Sequence, residues 1–331
     1  MSNYKNCHLC PWHCGVNRDA GHRGFCGETS ALRLAFAGIH RGEEPPVTGN
    51  GGSGTIFVSG CNLGCAFCQN YQISKSMTKN FAMGRVVDTG EFAEICLALQ
   101  EKGAENINIV TGSHAAPALA LGIETARKRS LNIPVLWNSS GYDGEETLEI
   151  LIDFVDVYLP DLKTLDMGIA ARFFNAPDYG EHATHAILKM MECREPRFGQ
   201  SEPQREIMLS GVMVRHLVLP EFLENTRQVL RWFSENCRGR ALLSLMTQYT
   251  PVLVPVTIPS RYISEDDYRT ILAMLDEYGI DNGFCQELAT GSDWLPDFTK
   301  SNPFSSELSV PVWHWNYGLG SSASGVKEET T

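Results

Sequence analysis

Along the chain, short continuous apolar runs alternate with longer stretches of helical spacing. Thr55-Ile56-Phe57-Val58-Ser59 is such a run and stops at Gly60, as expected of a strand buried on both faces. Between positions 88 and 102, Phe92, Ile95, Cys96 and Leu99 recur at three- and four-residue spacing before Gly103, which predicts a helix. The alternation continues with strands predicted over 106–110, 133–137, 155–159, 211–219 and 241–246. Helices are predicted over 116–129, 145–153, 166–174, 182–193, 225–237 and 264–278, the last with Ser264 as its N-cap. Residues 196–204 read as a polar insertion. Six strands alternating with helices predict an α/β fold, a parallel sheet wound as a partial (β/α)6, TIM-like barrel, with its active site at the C-terminal ends of the strands.

Loop composition sets the boundaries. Pro45-Pro46 followed by Gly49-Asn50-Gly51-Gly52-Ser53-Gly54 separates a Cys-rich, loop-dominated extension (1–50) from the barrel (51–285). A C-terminal extension (286–317) is expected to pack on the barrel, with Trp294, Phe298, Trp313 and Trp315 covering its mouth or filling its bottom. The Ser/Gly-rich tail (318–331) reads as disordered. With 331 residues, 43% of them hydrophobic, the chain can bury one large core or two modest ones. Its formal net charge of -12 argues against a broad nucleic-acid or membrane-binding face. No apolar run approaches the roughly 20 residues of a membrane span. The first ten residues lack a signal-peptide pattern, so the expected location is the cytoplasm.

Cysteine placement changes the picture most. Seven of the 11 cysteines fall within the first 68 residues, which in a reducing compartment points to metal rather than disulfides. Cys96, Cys193, Cys237 and Cys285 are scattered and read as core fillers or incidental thiols. Cys61, Cys65 and Cys68 follow the first predicted strand with C-x3-C-x2-C spacing. Three thiolates on one short loop can hold three corners of a [4Fe–4S] cube and leave the fourth iron open for a ligand. A structural zinc would want a fourth ligand, and none stands nearby. Cys7, Cys10, Cys14 and Cys26 form a second set among glycines, and four thiols suit either structural zinc or an auxiliary Fe–S cluster. His8, His13 and His22 are near enough in sequence to replace one of them.

The spacing of the triplet, the aromatic Phe67 before its last cysteine and its place after the first strand resemble the radical S-adenosylmethionine (SAM) superfamily. Further phrases resemble its branch of pyruvate formate-lyase activating enzyme-like proteins: Asn106 to Thr111, Trp137 to Tyr142, Tyr158 to Lys163, Val214 to Pro220 and Ser292 to Phe298. The resemblance spans most of residues 5 to 300. It implies a barrel of the radical SAM type, a cluster whose open iron chelates SAM, and reductive cleavage of SAM to a 5′-deoxyadenosyl radical that abstracts hydrogen. It also implies a low-potential electron donor such as flavodoxin or ferredoxin, and a substrate that is a protein or peptide (a glycyl radical enzyme among the choices) or a small molecule. By the same resemblance Thr111, Ser113, His114, Asn138, Asp161, Lys163, Arg215 and His216 are expected to bind SAM, with Gln248 and Tyr249 as weaker candidates. Glycyl-radical activating enzymes typically carry a Gly-Gly-Glu-Pro stretch after the second strand; this chain has Thr111-Gly112-Ser113-His114, so the glutamate is missing and a hydroxyl, a backbone carbonyl or His114 is expected to take its place. Arg215 and His216 alternate within one strand, and at most one can face the lumen. The contrasting expectation is a non-catalytic iron–sulfur electron carrier or redox sensor; a zinc-stapled barrel enzyme is a third.

Overall fold

The computed structural model describes residues 3–74, 83–252, 258–288, 291–292 and 294–320. Its elements, in chain order, begin with β1 (Arg33–His40), the short α1 (Pro45–Thr48), β2 (Ser53–Val58), β3 (Arg85–Val86), α2 (Thr89–Glu101), β4 (Ile107–Val110) and α3 (Ala116–Lys128). Next come β5 (Val135–Ser139), α4 (Glu145–Leu151), β6 (Val157–Pro160), α5 (Met167–Phe174), α6 (Tyr179–Cys193), β7 (Arg197–Ser201) and β8 (Arg205–Leu217). The chain continues through α7 (Leu223–Asn236), β9 (Leu242–Met246), α8 (Glu265–Glu277), β10 (Gly283–Cys285), β11 (Ser309–His314) and β12 (Gly318–Leu319).

One sheet carries the molecule, in the order β10-β9-β8-β6-β5-β4-β2-β1-β11-β12. From β2 to β10 every neighbouring pair on this path is parallel. The sheet ends at β10 and β12 and does not close, giving the expected partial barrel. β2, β6 and most of β5 are buried along their length because helices cover the outer face and the lumen the inner one. The helices start where side chains satisfy their free N–H groups. Asp88 accepts from Glu91 N at 2.8 Å ahead of α2, and Asp166 accepts from Ile169 N at 2.8 Å ahead of α5. Ser264 forms the expected cap of α8, as a capping box with Asp267.

Three expectations need correction. Residues up to 41 are not loop throughout, because Arg33–His40 is a full strand that pairs antiparallel with both β2 and β11. The polar stretch after 196 is not an insertion without structure. Arg197–Ser201 folds back on Arg205–Ser210 as a hairpin arm whose hydrogen bonds, rather than buried side chains, define it. Gly318–Leu319, assigned to a disordered tail, pairs with β11, while 321–331 lie outside the described residues. Among the described residues no helix is long and apolar enough to cross a membrane.

Candidate iron–sulfur and SAM site

β2 delivers the cysteine triplet. The strand ends in the core at Val58, and Gly60 turns the chain at φ +86, where a Cβ would stand 2.5 Å from Glu28 Cγ and 3.1 Å from Cys26 O. The loop that follows is held at several points. Gly60 N donates to Ile73 O at 2.8 Å, Ala66 N to Phe173 O at 2.8 Å, and Asn62 Nδ2 to Tyr142 O at 2.5 Å. Cys61 and Cys65 are buried and Cys68 nearly so, yet all three form part of the wall of a cavity of about 780 Å³. Leu63 N points at Cys61 Sγ from 3.3 Å, a backbone donor of the kind that supports a thiolate ligand. Burial pushes the Cys65 thiol up, with Lys163 opposing; burial and then Cys61 push Cys68 up to about 11. None of the eleven cysteines is disulfide-bonded.

The donor set fits a [4Fe–4S] cluster. Three thiols from one loop border open space, and among the described residues no three or more His, Cys, Asp or Glu side chains are drawn together into a single-ion cage. Opposite the thiols the cavity wall comes from the C-terminal ends of the parallel strands: Thr111 after β4, Asn138 to Ser140 at β5, Asp161 and Lys163 after β6, Arg215 on β8. Thr111 is held at φ +63, a conformation a β-branched residue seldom adopts, and Thr111 N donates to Asn138 O at 2.9 Å. Such strain costs about 1–3 kcal/mol and gathers where a ligand is gripped.

Lys163 forms an ion pair with Asp161. Burial works against the ammonium, but Asp161 and then Cys65 outweigh it, and the lysine stays charged well above its usual range. Its backbone N donates to Tyr179 Oη at 3.0 Å and its carbonyl accepts from Asn225 Nδ2 at 2.9 Å, so the pair sits on a fixed loop.

Not every expected residue reaches the cavity. His114 Nε2 lies 2.8 Å from Ser59 O and the ring is buried behind the cysteine loop, where burial and then Arg18 lower its pKa to about 3. Ser113, also buried, is absent from the wall because the turn after Thr111 carries it toward α4; its carbonyl accepts from Thr147 Oγ1 at 3.3 Å. His216 points out of the lumen to Leu162 O at 2.7 Å and Thr226 Oγ1 at 3.0 Å, as strand alternation requires once Arg215 faces inward. Gln248 lines the cavity, whereas Tyr249 turns away and donates to Pro259 O. Trp294 is on the wall, while Phe298 and Trp313 are core residues and Trp315 donates to Phe298 O. Cys285, expected as a core filler or incidental thiol, also lines the cavity. Sequence reasoning missed His40, Glu43 and Glu44, which enter from the N-terminal side of β2, where a search confined to strand C-termini does not look.

The knuckle that carries the N-terminal cysteines packs against the triplet loop. Cys14 Sγ and Cys26 Sγ lie 3.3 and 3.5 Å from where a Cβ on Gly24 would be, so a side chain there would crowd Cys14 and touch Cys26. Buried Arg18 ties this knuckle down, donating to Glu28 O, Thr29 O and His114 O at 3.1, 2.6 and 2.7 Å and reaching Cys7 Sγ at 3.6 Å. The knuckle touches the triplet loop directly. Cys61 N donates to Cys26 O at 3.3 Å, and Trp12, stacked on Phe25, donates from Nε1 to Asn62 O at 2.6 Å.

The radical SAM superfamily model matches residues 55–194, which include the triplet, Thr111, Asn138, Asp161 and Lys163. An uncharacterized protein of Methanocaldococcus jannaschii is 30% identical over 286 residues, 84% of this chain and 76% of that protein. Among solved structures, a radical SAM methyltransferase from Sphaerobacter thermophilus aligns at 14% identity and a TM-score of 0.49, over 71% of this chain and 66% of its own. Streptococcus suis SuiB bound to S-adenosylmethionine aligns at 15% identity and a TM-score of 0.46, over 68% of this chain; the chain spans 48% of SuiB. On the family match and the relative that shares most of its length, this chain belongs to the radical SAM superfamily.

Proposed function

We propose that the protein is a SAM-cleaving radical enzyme in which Cys61, Cys65 and Cys68 hold a [4Fe–4S] cluster and the strand ends beside them hold SAM. The observation that carries this reading is the position of three thiols from one loop on the wall of a cavity of about 780 Å³, facing the Asp161–Lys163 pair. An electron carrier would need no such space, and carriers fill all four cluster corners with protein ligands. When bound, the cluster supplies one electron to SAM, which yields a 5′-deoxyadenosyl radical able to take hydrogen from a substrate.

The chain's own residues do the rest. Lys163 offers a fixed ammonium for the SAM carboxylate, and Asp161 keeps it charged and accepts from ribose hydroxyls. Asn138 and the strained Thr111 give polar contacts at neighbouring strand ends. Phe67, on the cavity wall next to Cys68, excludes water from the reacting end. His114 and His216 act as structural residues and not as SAM ligands. The substrate is either a protein or peptide, a glycyl radical enzyme among them, or a small molecule, and the electron donor is a low-potential protein of the flavodoxin or ferredoxin kind. Cys7, Cys10, Cys14 and Cys26 form a second, structural metal site, supported by the meeting of Cys14 and Cys26 beside Gly24, by the contact of Cys7 with Arg18 and by the backbone contact of Cys26 with the triplet loop.

The test is Cys65→Ala in the reconstituted enzyme with reductant and SAM. It is expected to abolish 5′-deoxyadenosine formation; retained formation removes the triplet from the mechanism.

A further inference from the structure

The cavity is longer than the cluster and SAM site described above, because its wall also takes in His40, Glu43 and Glu44 from the segment between β1 and β2. The triplet follows β2, whereas Glu43 and Glu44 precede it and enter the lumen beneath the strand ends, where Glu43 meets Asn108 of β4. Arg215, level with Asp161 in the strand register, reaches down from β8 and pairs with Glu43 Oε2 at 2.5 Å and with Glu44. Glu43 Oε1 also accepts from Asn108 Nδ2 at 3.3 Å, and His40 Nδ1 lies 3.9 Å away. Arg215, Glu43, Glu44 and His40 all line the cavity.

Three features of this group point to a ligand. Two carboxylates face one guanidinium, which leaves one formal negative charge unbalanced. Burial pushes the Glu43 carboxyl up, but Arg215 outweighs it, so the group stays ionised; burial lowers the pKa of His40 against the pull of Glu43, which keeps the ring from supplying the missing positive charge. Arg215 is only 6% exposed, yet its Nε–H has no hydrogen-bond partner among the described residues. A buried ion group is also weak evidence for stability, since apolar replacement often does as well. Finally, Phe304 packs against His40 with ring centroids 4.9 Å apart and borders the same cavity, and an aromatic ring there attracts a cation.

We propose that Glu43, Glu44 and Arg215 form the substrate-selecting end of the cavity, and that it takes a substrate carrying a protonated amine next to a carbonyl or carboxylate oxygen. The amine pairs with the surplus carboxylate charge, and the oxygen accepts from Arg215 Nε–H. This rests on the radical SAM reading, in which the reacting centre lies at the triplet end and the substrate fills the remainder.

The test uses the reconstituted holoenzyme saturated with SAM and without reductant. Calorimetric titration compares alaninamide, whose protonated amine stands next to its carbonyl, with its neutral isostere isobutyramide and with the 2-methylmalonamate anion. A charge-assisted bond in a desolvated site corresponds to about tenfold or more in affinity. The cationic probe is therefore expected to bind at least about tenfold tighter than the neutral one, with the anion weakest, and Glu44→Gln is expected to erase the preference. Equal binding of the three probes, or binding of none, overturns the proposal. So does a Glu44→Gln protein that weakens cation and neutral probe alike, or that loses SAM instead. Should Glu44→Gln not fold, the wild-type series decides alone. A parallel tube with reductant and no probe reports 5′-deoxyadenosine: its absence strikes the SAM reading, while the probe ranking strikes or supports the cation site.

Discussion

Lys163 is the residue on which SAM binding is expected to depend most among the side chains. Buried, charged and locked to Asp161, it is an ammonium fixed before the ligand arrives, which spares the ordering cost of a surface lysine. Lys163→Ala is expected to raise the SAM dissociation constant by about tenfold or more, the size of a charge-assisted contact; equilibrium binding to the oxidised holoenzyme checks this, and unchanged affinity rejects the role. His216 makes a different prediction. Burial, with Leu162 O opposing, lowers its pKa from 6.5 to about 4. The folded state therefore resists the proton that the unfolded state accepts, so the contribution of the neutral ring is whole above pH 6.5 and is lost as the pH falls from there toward 4. One pH unit into that window costs about 1.4 kcal/mol. Urea unfolding at pH 7 and 5.5 should show that loss in the wild type and a smaller one in His216→Gln. Residue identity alone could not separate Arg215 from His216; strand alternation limited the choice to one, and only the fold says which.

At the level of elements, the parallel strands and their helices were legible because each carries its own signal. β2 is a short apolar run, α2 has its apolar spacing and Asp88 cap, and α8 has its Ser264 capping box. β1 was not legible: it lies between a cysteine-rich knuckle and a Gly/Pro loop, and its strand character comes from partners 13 and more residues away in β2 and nearly 280 away in β11. β7 was hidden for the opposite reason, since Arg197–Ser201 buries little and is defined by its hydrogen bonds to β8. The N-terminal knuckle belongs to this scale, because it braces the triplet loop through Cys26 O and Trp12. Cys10→Ala is expected to lower thermal stability and the content of the second metal while the SAM-responsive cluster signal survives. Disappearance of that signal would merge the two cysteine sets into one site.

For the molecule as a whole, the open sheet gives one cavity with two chemical ends. The triplet, Asp161 and Lys163 occupy the end at the strand C-termini, as the rule for parallel barrels leads one to expect. Glu43 and Glu44, met by the side chain of Arg215 from those strand ends, occupy the other, which that rule does not address and which depends on how the segment after β1 returns under the lumen. The central claim is that the first end joins a cluster to SAM. Anaerobic reconstitution with iron and sulfide, followed by EPR of the reduced protein with and without SAM and assay of 5′-deoxyadenosine in the same tube, tests it most directly. The predicted result is a [4Fe–4S]⁺ signal that shifts when SAM is added, with deoxyadenosine formed; a cluster signal indifferent to SAM, with none formed, would contradict it.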